Sequence, residues 1–287
     1  MRAILTSLVL FIFLLTHIHA QEQDRLSLTT LSGNRQVLIL GESYGHSESV
    51  DLVSKMVSDY TGSGHCLKVA LEISSDQQDM LDLAMTGTAS ISDLEIKDTI
   101  DREAYRNMLF EFSEQIKAGK CLSVHAIYPP DEVPVTKDAW MEQKVVGLMD
   151  DKPVLVLVGN TSAIKDFDDD GNEDRKTLAQ RLVSRSMSVS SLMQYWRPGT
   201  CDGKTAQIFS NTEDKSSIYM KEAMGDLRAK MPENPQNVAD GVLVWSCKSV
   251  SVAETTDITE TEAKNVVKID VARYEVVERT EEVLDKI

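Results

Sequence analysis

Histidine, paired cysteine and basic charge are all scarce in this chain, and each scarcity removes a class of function. The four cysteines are widely separated, and no two stand in a CxxC pair. Zinc knuckles and dithiol redox centres are thereby set aside. Lys and Arg total 30 against 46 Asp and Glu, a formal charge of −16. Binding nucleic acid or an anionic membrane surface requires clustered cations that displace counterions, so neither partner is expected. Aromatic residues make up only 6% of the chain, but aliphatic residues are plentiful enough for a sizeable core. No apolar run beyond the first 20 residues is long enough for a transmembrane helix, so no stable membrane insertion is expected once those residues are removed.

The first 20 residues, "MRAILTSLVLFIFLLTHIHA", carry one cation at Arg2, an apolar core from Ala3 to Leu15 and a small residue at Ala20. This pattern predicts a cleaved signal peptide over 1–20 and a periplasmic or secreted mature protein. The remainder, 21–287, suits one domain, with a core over about 35–250 and a C-terminal extension over 251–287. Oligomeric state is left open. In an oxidising compartment an even cysteine count favours disulfides. Cys66 in "GHCLKVALEI" and Cys121 in "GKCLSVHAIY" each immediately precede a strand-like run. If those strands are neighbours, the cysteines lie within bridging distance, which predicts Cys66–Cys121 and, by remainder, Cys201–Cys247.

"QVLILGE" is a continuous apolar run closed by glycine, the signature of a strand buried on both faces. Val50, Val53, Val57 and Tyr60 then recur at helical spacing until "TGSGHC". "LKVALEI" is a second strand, and Ser75 and Gln78 of "SDQQ" offer a capping box ahead of a helix. Leu109, Phe112 and Ile116 mark another helix, "CLSVHAIYPP" a third strand, Thr136 to Met149 a helix, and "PVLVLVGN" a fourth strand. This alternation predicts an α/β fold, a mainly parallel central sheet with helices on both faces in a single domain. Further on, "TLAQRLVSRS" and "IYMKEAMGDLRAKM" look helical, while "VSSLMQYW" and "GVLVW" look like strands. In the tail, Val266 to Val277 alternates like a strand and "TEEVLDKI" suits a helix.

Ligands of an open parallel sheet lie outside the carboxyl ends of its strands. The polar residues collected there are Glu42, Tyr44 and His46, then Glu72, then His125 and Tyr128, and finally Asn160. A carboxylate directly after a buried run needs a partner, which makes Glu42 and Glu72 candidate catalytic or metal-holding groups. Held close together, two such carboxylates leave one with a raised pKa unless a cation lies between them. His46 is the candidate base. Tyr44, His46, His125, Tyr128 and Asn160 are the candidate ligand-binding set.

In its motifs the chain resembles the ChaN-like haem-uptake proteins and their relatives, the Tiki/TraB proteins and the erythromycin esterases. The shared features are a strand leading into Gly-Glu-x-His, a second strand ending in Glu as in "VALEISSDQQDMLD", and a later strand ending in Gly-Asn-x-His. "VADGVLVW" is similar to the family's last core strand, so the likeness covers most of residues 35–248. Both motif histidines are replaced: this chain reads Gly41-Glu42-Ser43-Tyr44 and Gly159-Asn160-Thr161-Ser162. Glu42, Glu72 and Asn160 carry over by position, and His46 is displaced by two residues. The resemblance implies a small-molecule ligand, with haem or a divalent metal as cofactor; since tyrosine can ligate haem iron, Tyr44 with His46 are candidate haem donors. It also implies two alternatives: a divergent, metal-dependent hydrolase in which His46 or His125 serves as base, or a non-catalytic secreted interaction protein.

Asp166, Asp168, Asp170, Gly171 and Asp174 of "DFDDDGNED" fit the opening of a calcium loop. The place of the closing bidentate Glu is taken by Thr177, so calcium is a candidate on four carboxylates alone.

Overall fold

The computed structural model describes residues 26–246, apart from 34, 132, 168–170, 198–204, 228–231 and 233. The expected signal peptide, the Cys201–Cys247 pair, Asp168, Asp170 and the tail elements lie outside the described residues. Seven strands form one sheet: β1 (Val37–Glu42), β2 (Leu67–Ser74), β3 (Leu122–Tyr128), β4 (Val154–Gly159), β5 (Val189–Arg197), β6 (Thr205–Ser210) and β7 (Gly241–Ser246). Their order is β3-β2-β4-β1-β5-β7-β6. All pairings are parallel except β6 with β7.

Among the described residues there are seven α-helices, α1 (Leu28–Ser32) ahead of the sheet and six between its strands: α2 (Glu48–Gly62), α3 (Gln78–Thr86), α4 (Glu103–Lys117), α5 (Lys137–Gly147), α6 (Leu178–Ser184) and α7 (Asp214–Asp226). The pleat sorts the strand residues onto two sides. Leu38 and Leu40 of β1 join a core with Val53 of α2, Leu81 of α3 and Phe112 of α4. Val37 and Ile39 join Met141 of α5 and Leu182 of α6. Met193 and Val242 pack with Met220 of α7. Burial on both faces is why β1 and β4 read as unbroken apolar runs.

Cys66 and Cys121 form a disulfide, with their alpha carbons 4.5 Å apart, because Leu67 and Leu122 are register partners. The Ser75–Gln78 capping box does not form; Ser75–Gln77 is a 3₁₀ turn without a side-chain cap. Gln78 instead donates to the carbonyl of Val124 at 3.1 Å and accepts from the amide of Ala126 at 2.7 Å. β3 is an edge strand with unpaired backbone groups, and satisfying them outweighs a local cap.

The chain leaves β1 through α2 on one face and leaves β4 through α6 on the other. β1 and β4 are neighbours, so their carboxyl ends form the switch point of an open α/β sheet, the place where such sheets take their ligands.

Candidate functional site at the carboxyl ends of β1, β4 and β2

Glu42 closes β1 opposite Gly159 of β4. Glu72 lies two residues before the end of β2, on the far side of β4, so the two carboxylates stand on strands separated by β4 rather than on adjacent ones. They meet electrostatically across that strand end. Glycine there is required by the tyrosine that crosses it: a Cβ at Gly159 would lie 2.6 Å from Tyr44 Oη. Tyr44 is 42% exposed as a residue, yet its hydroxyl donates to Glu72 Oε2 at 2.6 Å. The amide of Gly159 donates to the same oxygen at 3.0 Å. Lys137, in the first turn of α5, brings its ammonium to 3.6 Å from Glu72 Oε1.

Glu42 is 3% exposed, and Ser49 Oγ in the first turn of α2 donates to it at 3.1 Å. Burial and, next, the charge of Glu72 push the Glu42 carboxyl up to about 7, against the opposing pull of Ser49 and Arg102. The expected raised member of the carboxylate pair is therefore Glu42. The Tyr44 phenol is held well above its ordinary value by burial, by the charge of Glu72 and by its hydrogen bond to Glu72. Burial lowers His46, with Glu48 opposing and Arg102 reinforcing.

His46 stands at the rim, its ring stacked on Trp196 at 4.1 Å between centroids, and Trp196 lies 6.0 Å from Trp245. Tyr128 carries the ammonium of Lys97 over its ring at 3.6 Å, and its hydroxyl is felt electrostatically by Tyr44. His125 stands apart. Its Nε2 meets Ser123 Oγ at 2.8 Å, and burial and Lys68 lower it, against Asp82.

Asn160 joins the site by shaping it. Its side chain crosses over Gly41 to β5, where Nδ2 donates to the carbonyl of Gln194 at 2.7 Å and Oδ1 accepts the amide of Gln194 at 2.9 Å. Gln194 in turn donates to the carbonyl of Gly41 at 2.5 Å and accepts from Trp245 Nε1 at 2.7 Å. A Cβ at Gly41 would lie 2.9 Å from the Asn160 alpha carbon, so this crossing demands glycine.

Sequence reasoning missed Arg102, Tyr105, Lys137, Gln194 and Trp196. Arg102 acts electrostatically on both Glu42 and His46. Tyr105, 2% exposed, feels Glu42, Glu72 and Tyr44, and burial above all raises its phenol. Lys137 directly follows the expected helix start at Thr136, which was a usable signal; for Arg102 only its place ahead of an amphipathic helix pointed inward.

The residues present do not fit a resident divalent metal: among the described residues no three His, Cys, Asp or Glu side chains are grouped to hold one. Tyr44 does not fit a haem-iron donor either, because its phenol is held neutral and its hydroxyl is committed to Glu72.

No protein-family model and no curated protein sequence matches the chain. Among solved structures it is similar to an erythromycin esterase mutant in its open conformation, with TM-score 0.53 and 11% identity over 78% of this chain and 94% of that one. A protein from Bacillus cereus gives TM-score 0.52 and 10% identity over 77% and 91%. The ChaN of Campylobacter jejuni, whose structure shows cofacial haem binding, gives TM-score 0.43 and 12% identity over 78% and 91%, too low a score to carry argument. The chain thus has the fold that the erythromycin esterase and the Bacillus cereus protein share with it, as the motif resemblance implied.

Proposed function

We propose that this chain binds a small polar molecule at the carboxyl ends of β1, β4 and β2, and that Glu42 exchanges a proton with it in a hydrolase-like reaction. One observation carries the reading: a carboxyl 3% exposed, beside a second carboxylate, with its pKa pushed to about 7. Such a group is divided between acid and base at neutral pH, where a proton carrier is most effective. On an ester, Glu42 as carboxylate takes a proton from water as the water oxygen bonds to the carbonyl carbon. As the acid it then returns that proton to the departing alkoxide. Tyr44 and Glu72 form the opposite wall, held in place by the Gly159 amide. Export is part of the proposal, supported by the signal-like first 20 residues and the Cys66–Cys121 disulfide.

Hydrolysis of a panel of small carboxylic esters by the purified chain tests it. Glu42→Gln is expected to lower turnover at least about a hundredfold and to erase an inflection near pH 7. Turnover that survives the substitution with its pH profile intact defeats the assignment. A second reading, haem binding at the rim, is favoured by the flat His46–Trp196–Trp245 row. Its test is absorbance titration with haem, in which His46→Ala abolishes the Soret shift and Tyr44→Phe does not.

A further inference from the structure

A cleft of about 490 Å³ opens between the first turns of α2 and α4, lined by Gly45, Ser47, Val50, Arg102, Tyr105 and Asn107, among others. Neither helix has a side-chain cap at this end: Ser47 makes no cap bond and Arg102 occupies the cap position of the 15-residue α4. Uncapped first-turn amides and the helix dipole favour negative charge. Arg102 adds an independent sign. Its Nε and Nη2 are buried without a hydrogen-bond partner. So is the hydroxyl of Tyr105, a side chain 2% exposed on the same cleft wall. Nε and Nη2 form the side-on fork of a guanidinium, the edge that matches a carboxylate bidentately. One turn later Arg106 shows that edge filled, with Nε and Nη2 on the two oxygens of Asp101 at 2.6 and 2.8 Å.

We propose that the cleft holds the carboxylate of a small monoanionic ligand on the Arg102 fork and the α4 N-terminus, beside the Glu42 carboxyl. The proposal rests on reading the Glu42 region as a small-molecule site and names the ligand's charged end. Buried guanidinium donors cost free energy until an acceptor meets them, and a ligand carboxylate supplies two. Asp51, Glu103 and Glu111 line the outer part of the cleft and are exposed. With a chain charge of −16, they turn away polyanions and leave room for a single charge.

Calorimetric titration of the full chain at pH 6 with benzoate and with its neutral analogue benzamide tests this. Benzoate is expected to bind at least tenfold more tightly than benzamide, and Arg102→Gln to remove that preference. Arg102→Lys keeps the charge but not the fork, and decides the matter if the first variant does not fold: benzoate is expected to weaken at least threefold. No preference for benzoate, or unchanged benzoate affinity in every folded Arg102 variant, overturns the subsite. Ester turnover dependent on Glu42 without benzoate preference sinks the subsite and leaves the proton-transfer reading standing. Benzoate preference lost with Arg102 but without any ester turnover does the reverse.

Discussion

At Glu42, the burial that prepares a proton carrier also ties folding to pH. Its folded value of about 7 lies above the ordinary 4.5, so the folded state holds the proton more tightly than the unfolded chain. The contribution is fully present below 4.5 and is lost as pH rises through 7, about 3 kcal/mol across that window. His46 and His125 are lowered instead, so their contributions grow as pH rises, and only a comparison with a variant isolates Glu42. Glu42→Gln is therefore expected to gain on the wild type in melting temperature between pH 5 and 8. A wild-type-to-variant difference that stays constant over that range contradicts the assignment. The two motif glycines carry a second expectation at this scale. Gly41→Ala and Gly159→Ala each push a Cβ into a neighbour, costing about 1 to 3 kcal/mol by denaturant unfolding. Because the Gly159 neighbour is the Tyr44 hydroxyl, Tyr44→Phe should offset part of the Gly159→Ala loss; additive losses would show that the approach is not felt.

Among the described elements, β3 is an edge strand supported by side chains as well as by its ladder. It pairs with β2 alone, and is held further by Gln78 and by the Cys66–Cys121 bridge over a separation of 55 residues. Replacing both cysteines with alanine is expected to cost about 4 kcal/mol in the chain-entropy account; a loss under 1 kcal/mol by chemical denaturation would show that the denatured chain is not restrained by the bridge. Strands β1, β4 and β7 were legible because burial left continuous apolar runs, and β2, β3 and β5 as apolar-rich stretches interrupted by single or paired polar residues. The antiparallel edge strand β6, "TAQIFS", was not: it is short, and its apolar residues Ala206, Ile208 and Phe209 are interrupted by Gln207. The capping box failed for another reason. Local pattern proposed a partner for Ser75 and Gln78, while the tertiary demand came from an edge no local window contains.

Across the whole molecule, the fold class and the carboxylates were readable because a charge following a buried run must be accounted for, whatever the topology. What the sequence did not disclose was which strand separates the carboxylates and which helix end faces them. β4 between β1 and β2, and Arg102 at the head of α4, are consequences of strand order and crossover direction. Asn160 shows the same limit from the other side: the motif marked it as a ligand contact, and the structure spends its side chain on Gln194.

The place of β1 in that order also sets a timetable. Val37 pairs with Val154 and Val189, so both neighbours of β1 are synthesised long after it. Until they arrive, only β2 and β3 of the strands made so far can join, and their disulfide can close. Such distant parallel pairing is slow to form, because a long loop must close before it gains anything. The site between Glu42 and Glu72 therefore comes into being late in assembly, and a chain interrupted after β3 contains both carboxylates without the strand that holds them together.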